Sequence, residues 1–366
     1  MGEKMKREAS ISTWQLFFFM LQTHVGVGIL SLPYDVHQAA GKDGWLSILL
    51  AGFFMQIGIV VMWLLASRFP SKTLAEFLPL IVGRVISVLI IALYMFFFFM
   101  VASQILAAFL SITADWAFPR TPPVVFAVII TAITVYLIQE DIRIIARFHV
   151  LMSFFLMGVL MIFLLMWNHL NVYYLLPIGS SGIQDIAAGA QKAIFSLGGT
   201  EMLLWLFPLT QANNKGKWKA AAGASLTVTI IYTLLALCAF TYFSETKLKH
   251  VPEPVIYMIK SIELGIVERL DLIFLVFWAV FTITSFMNNL YIAALNAANI
   301  TKAKHHKTAV YILSLLIIPL AVYTSNAESI KMIGGFISSV YPGFLFIIPL
   351  FLLVVAIIRR KREGTG

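Results

Sequence analysis

Charge is scarce in this sequence. Of 366 residues only 12% are Asp, Glu, Lys or Arg, against about 25% in an ordinary soluble domain. That deficit, with 60% hydrophobic residues and a mean hydropathy of +0.92, excludes a water-soluble globule. Apolar runs recur from end to end and leave no room for a sizeable soluble domain. Cysteine is nearly missing: Cys238 is the only one, so no intrachain disulfide can form and the redox compartment stays open. Acids are outnumbered, 17 against 26 Lys and Arg. The excess positive charge sits in short loops between apolar runs, where it acts as a topology determinant, so no nucleic-acid partner is expected. No nucleophile–base pair of a membrane enzyme is present, hence no catalytic residues, and no metal or cofactor is implied.

What is there reads as membrane spans, each needing about 20 apolar residues. The runs predict ten, near 14–39, 44–66, 85–113, 122–138, 147–167, 187–211, 218–243, 269–298, 308–323 and 333–357. Lys4, Lys6 and Arg7 precede the first as in a signal peptide. No small-residue cleavage pattern follows before Ala40, so that span is read as retained. Ten spans put both termini on one side. The loops there hold Lys4, Lys6, Arg7, Arg68, Lys72, Arg84, Arg143, Arg147, Lys215, Lys217, Lys219, Lys302, Lys304, Lys307, Arg359, Arg360, Lys361 and Arg362, most of the Lys and Arg in the chain. By the positive-inside rule both termini are cytoplasmic. "KTLAEFLPLIVG" (72–83) and "PEPVIYMIKSIELGI" (252–266) read as amphipathic segments lying on the inner and outer faces.

Two spans are interrupted. "HVGVGILSLP" (24–33) places Gly26 and Gly28 ahead of Pro33 in span 1, and "FSLGGTEMLLWLFP" (195–208) places Gly198, Gly199, Thr200 and Glu201 in span 6. Glycine weakens a helix, and a carboxylate at the bilayer centre costs roughly 2.5–3.5 kcal/mol or more. Spans 1 and 6 each open a half of five, 14–167 and 187–357, and an odd number inverts the second half relative to the first. Glycine-broken segments at matching positions of inverted halves point to a central ligand site of transporter type. The alternative for the glycines is close helix packing, but their i, i+2 spacing in span 1 does not fit the small-xxx-small pattern. Glu201 either serves a ligand or a coupling proton, or braces the break as a buried acid. "GSSG" (179–182) formally fits a protease motif but lies in a Gly/Ser-rich connector, and "GVGILS" lacks the third glycine and the preceding strand of a nucleotide fingerprint.

With "GVGILSLP", the acidic Gly-rich sixth span and "ISTWQLFFFMLQTHVGVGILSLP" near the start, the chain resembles the amino acid–polyamine–organocation superfamily. Within it, the chain resembles the B subunits of spore germinant receptors, the endospore germination permeases. The resemblance implies an all-α, ten-helix, five-plus-five inverted-repeat fold as one transmembrane domain in the inner membrane of the spore. It implies a nutrient-sensing role, the nutrient commonly an amino acid, beside a membrane A subunit and a lipoprotein C subunit. The backbone from Val25 to Ile29 would then cradle a ligand carboxylate, facing Phe195, Ser196, Gly198, Gly199, Thr200 and Glu201. The four consecutive phenylalanines of "YMFFFFMVASQ" cover every face of span 3, so most touch lipid or core and one or two at most, Phe98 among them, would lid a pocket. Hydroxyls at Thr282 and Ser285 of span 8 match an ion site of sodium-coupled relatives, or else are satisfied on the preceding turn of their own helix. Span 5 has no Lys or Arg from Val150 to Trp167, where proton-coupled relatives often hold a lysine. That favours a sensor over the alternative, a secondary amino acid transporter working by alternating access.

Overall fold

The computed structural model describes residues 10–262, 268–303 and 305–363. Lys4, Lys6, Arg7, Lys304 and the end of the 252–266 segment lie outside them. Among the described residues the chain is helical, and its only strand-like pairing is an isolated parallel bridge between Ile11 and Thr210.

The helices begin and end where local chemistry dictates. Ser12 and Gln15 form a capping box at the start of α1 (Thr13–His24), satisfying amides that a helix start leaves unpaired. After a three-residue gap comes α2 (Gly28–Ala40), then a single tight turn at Gly41–Asp43 and α3 (Gly44–Ser67). Thr73 and Glu76 form a second capping box on α4 (Leu74–Val82), which buries Leu74, Phe77, Leu78 and Ile81 and exposes Glu76 and Leu80, as a helix lying on a face does. Helix α5 (Arg84–Trp116) has 33 residues, about 50 Å at 1.5 Å per residue, more than a bilayer core is thick. Then follow α6 (Pro123–Ile138), α7 (Ile142–Met152) and α8 (Phe154–Leu165). The expected fifth span is thus two helices meeting at Ser153, whose hydroxyl donates to the His149 carbonyl at 2.7 Å. Such back-bonding bends helices.

The second part of the chain repeats the interruption. Helix α9 (Ile183–Ser196) stops, and the chain re-enters helical structure as α10 (Thr200–Leu209). Helix α11 (Asn214–Tyr242) is capped by the Asn213 side chain, and α12 (Pro254–Lys260) is a short, mostly buried helix. Helices α13 (Leu270–Thr301), α14 (Lys307–Tyr323) and α15 (Ala327–Pro342) follow, and α15 passes through a π-helical stretch, Gly343–Ile347, into α16 (Ile348–Ile358).

Among the described residues, five helical runs are long and apolar enough to cross a membrane: Gly28–Ser67, Arg84–Trp116, Asn214–Tyr242, Leu270–Thr301 and Ala327–Ile358; α6, α10 and α14 are shorter apolar helices. The outward faces carry large apolar side chains such as Val85, Tyr136, Leu315 and Ile358, each at least three-quarters or nearly so exposed. A soluble protein cannot present so much apolar area to water. This is a multi-pass, all-α membrane protein.

In the tight turn that follows α2, Asp43 organises the long connector before α9. Its buried carboxylate accepts from the Gly179 and Ser181 amides, both at 2.8 Å, and from the Ser180 hydroxyl at 3.2 Å. The "GSSG" stretch is therefore a loop folded around an anion. Burial alone would push the Asp43 carboxyl up, but these donors hold it below the usual carboxylate range. A group whose folded pKa is depressed stabilises above its unfolded value and loses that stability as pH falls through the folded one. Asp43→Asn is expected to lower stability by about 1.5–3 kcal/mol, the worth of charged hydrogen bonds, and to remove that acid-side loss. Thermal melts of both proteins across the acid range check it, and identical profiles would refute the clamp.

Candidate functional site

The two helix interruptions meet at the centre of the molecule. Helix α1 ends at His24, and Val25 takes an extended conformation (φ −83°, ψ 111°). Helix α9 ends at Ser196, and Gly199 has φ +120°, a region that side chains other than hydrogen rarely enter. The gaps leave backbone groups without intrahelical partners, which must be satisfied from elsewhere. His24 donates its Nδ1 proton to the Gly198 carbonyl at 2.6 Å, tying the first break to the second. Contact is closest at two glycines. A Cβ on Gly28 would lie 2.5 Å from Ser196 Oγ, and one on Gly199 would lie 2.7 Å from Thr23 Cγ2.

Two tyrosines absent from the sequence expectations brace the breaks. The Tyr232 hydroxyl, on α11, donates to the His24 carbonyl at 3.1 Å and accepts from the Gly26 amide at 3.4 Å. The Tyr341 hydroxyl, at the end of α15, donates to Glu201 Oε2 at 2.5 Å and accepts from the Gly199 amide at 2.7 Å. Glu201 Oε2 also accepts from the Gly199 amide at 3.2 Å. The carboxylate therefore sits inside the break it follows. Tyrosine in an apolar helix gives no signal of its own, but "YPGF" at 341–344 was a visible interruption of the last apolar run.

Between the breaks lies a cavity of about 40 Å³, room for about three water molecules. Gly26, Gly28, Phe195, Ser196, Gly198, Gly199, Glu201 and Ser285 line it, together with Thr23, His24, Val27, Val101, Ile105, Asn289 and Tyr341. Val25, Ile29, Phe98, Thr200 and Thr282 are not brought to it. Phe98 is buried against Tyr94, Phe97 and Trp205, because four consecutive phenylalanines point to every side of α5. Val25 and Ile29 face the apolar core. Thr282 satisfies its hydroxyl on the preceding turn of its own helix, donating to the Trp278 carbonyl at 3.0 Å, as Thr284 does to Phe281 at 2.9 Å.

Ser285 behaves differently. Its hydroxyl reaches across to the Thr23 carbonyl at 2.8 Å, and Asn288 donates to the Thr23 hydroxyl at 2.7 Å. Helix α13 is thereby fastened to the last turn of α1. On the other side, Gln22 donates to the His149 carbonyl at 2.6 Å and to Ser153 at 2.7 Å, while the His149 ring stacks on Phe19 with centroids 4.6 Å apart. His149 stands one residue ahead of the Val150–Trp167 window.

The family described as "Spore germination protein" matches residues 10–330. Among curated proteins, the chain is similar to spore germination protein GerQB of Bacillus cereus, 23% identical over 344 residues and 93% of each chain. It is also similar to spore germination protein A2 of Bacillus subtilis (strain 168), 24% identical over 355 residues and 96% of each. Among solved structures, it resembles a Na+-coupled sialic acid symporter in a substrate-bound outward-open state, with TM-score 0.63 and 11% identity, covering 93% of this chain and 80% of that one. It likewise resembles the nucleobase-cation-symport-1 family transporter MHP1 with bromovinylhydantoin bound, with TM-score 0.64 and 15% identity, covering 98% of this chain and 81% of that one. At such identities the likeness is one of fold, an all-α transporter fold.

Proposed function

The chain belongs to the spore germination protein family, and from that premise we propose that it is the nutrient-sensing membrane subunit of a spore germinant receptor. It binds a small germinant, an amino acid, at the paired helix breaks. The observation that carries this reading is the cavity walled by both breaks. There, amide and carbonyl groups freed from two helices converge with one carboxylate, a set of partners suited to a small polar solute and useless to lipid.

In this reading ten spans form two inverted halves, 14–167 and 187–357, with spans 1 and 6 broken and both termini cytoplasmic in the spore inner membrane. An A-type membrane subunit and a C-type lipoprotein complete the receptor. A ligand shifts an equilibrium only by its differential affinity for the two states, so binding must favour a rearranged cavity that neighbouring subunits detect. The same fold serves alternating-access transport, and one experiment separates the two. The purified protein in proteoliposomes is expected to bind radiolabelled amino acids without accumulating them inside. Saturable accumulation would make it a transporter, and absence of binding to any of the twenty standard amino acids would refute an amino acid ligand.

A further inference from the structure

Two of the cavity's polar groups are already taken. Glu201 Oε2 and the Gly199 amide both bond the hydroxyl of Tyr341. That hydroxyl fills the gap a side chain at Gly198 would need, since a Cβ there would lie 2.8 Å from it. A solute that engages these two groups must push the hydroxyl aside. One larger than about three waters must also move a wall.

Tyr341 is the wall residue placed to yield. Pro342 follows it and has no amide proton to give to a helix. Gly343 comes next, and a Cβ there would meet nothing within 4 Å. The backbone then runs as a π-helix from Gly343 to Ile347, a departure that marks functional bends in helices. Several contacts around this joint are aromatic. Phe97 meets the Tyr341 ring edge-on at 5.5 Å and stacks on Phe344 at 4.1 Å, and the Tyr94 hydroxyl donates to the Phe344 carbonyl at 3.0 Å.

We propose that Tyr341 is a latch: its hydroxyl occupies the polar subsite made by Glu201 and the Gly199 amide, and the ligand opens the cavity by displacing it. The displacing solute must present a donor to Glu201 and an acceptor to the Gly199 amide, so it carries both on one small frame. The π-helical joint lets α15 swing while α16 stays packed, which converts occupancy of the cavity into movement of one helix. This inference rests on the cavity being the ligand site.

The test uses the full chain with Cys238→Ala and Ser196→Cys, reporting access to the cavity by the rate of modification with 2-aminoethyl methanethiosulfonate. Tyr341→Phe keeps the ring and removes the latch bonds. It is expected to speed modification about fivefold, the factor for about 1 kcal/mol of net hydrogen bonding. It should also lower the half-maximal amino acid concentration in spores. Gly343→Ala should act in the opposite sense by stiffening the joint, since alanine favours regular helix and has open space there. Unchanged modification in both variants, or a raised half-maximal concentration for Tyr341→Phe, would overturn the latch. Spores indifferent to every amino acid with the unaltered chain would refute the ligand assignment instead, and the modification rates would still decide the latch.

Discussion

Gly199→Val is expected to abolish the germinant response in spores that still carry normal amounts of the chain in their membrane. The residue sits at φ +120° and a Cβ there would lie 2.7 Å from Thr23 Cγ2 and 3.2 Å from His24 Nδ1. A residue forced into that backbone region costs about 1–3 kcal/mol, and valine's branched carbon adds a collision that only a shift of α1 can relieve. Such a shift also pulls His24 away from the Gly198 carbonyl, the bond that joins the two breaks. Insertion should survive, because the flanking sequence stays apolar enough to enter the bilayer. Immunoblots of spore membranes beside germination curves check both halves. A normal response at normal abundance would remove the breaks from the ligand site.

Glu201→Gln is expected to raise the half-maximal ligand concentration at least about tenfold, since a desolvated charged hydrogen bond is worth about 1.5–3 kcal/mol. Glutamine keeps an acceptor for Tyr341 and the Gly199 amide, so abundance should hold. Glu201→Leu removes the acceptor altogether and leaves the Tyr341 proton without it, in a site that is 2% exposed. A buried donor stripped of its partner costs about 1–3 kcal/mol, and here abundance or melting temperature should fall as well. Dose–response curves for spores bearing each variant, normalised to chain level, separate the outcomes. If glutamine leaves the curve unchanged while leucine lowers abundance, Glu201 is a brace for the helix break and its charge has no part in binding.

The sequence carried the membrane class because a bilayer punishes exceptions. An apolar run of about 20 residues has one cheap fate, so the membrane class and the interruptions at Gly26–Gly28 and Gly198–Gly199 could be read in advance. Those breaks are local events, written in residues that weaken a helix wherever they occur. The site's walls are not local. Tyr232 and Tyr341 stand more than a hundred residues from the breaks they brace at Gly26 and Gly199, and nothing in their own neighbourhoods says which amide they will meet. Phe98 and Thr282 failed to reach the cavity for the same reason: periodicity tells that a side chain lies on a helix, while the rotation of that helix against its neighbours decides what it faces. Ser285, three residues on from Thr282, turned inward and found the Thr23 carbonyl. Helix packing settled that choice, because only at that rotation does a hydroxyl in hydrocarbon reach a carbonyl that the first break had left free.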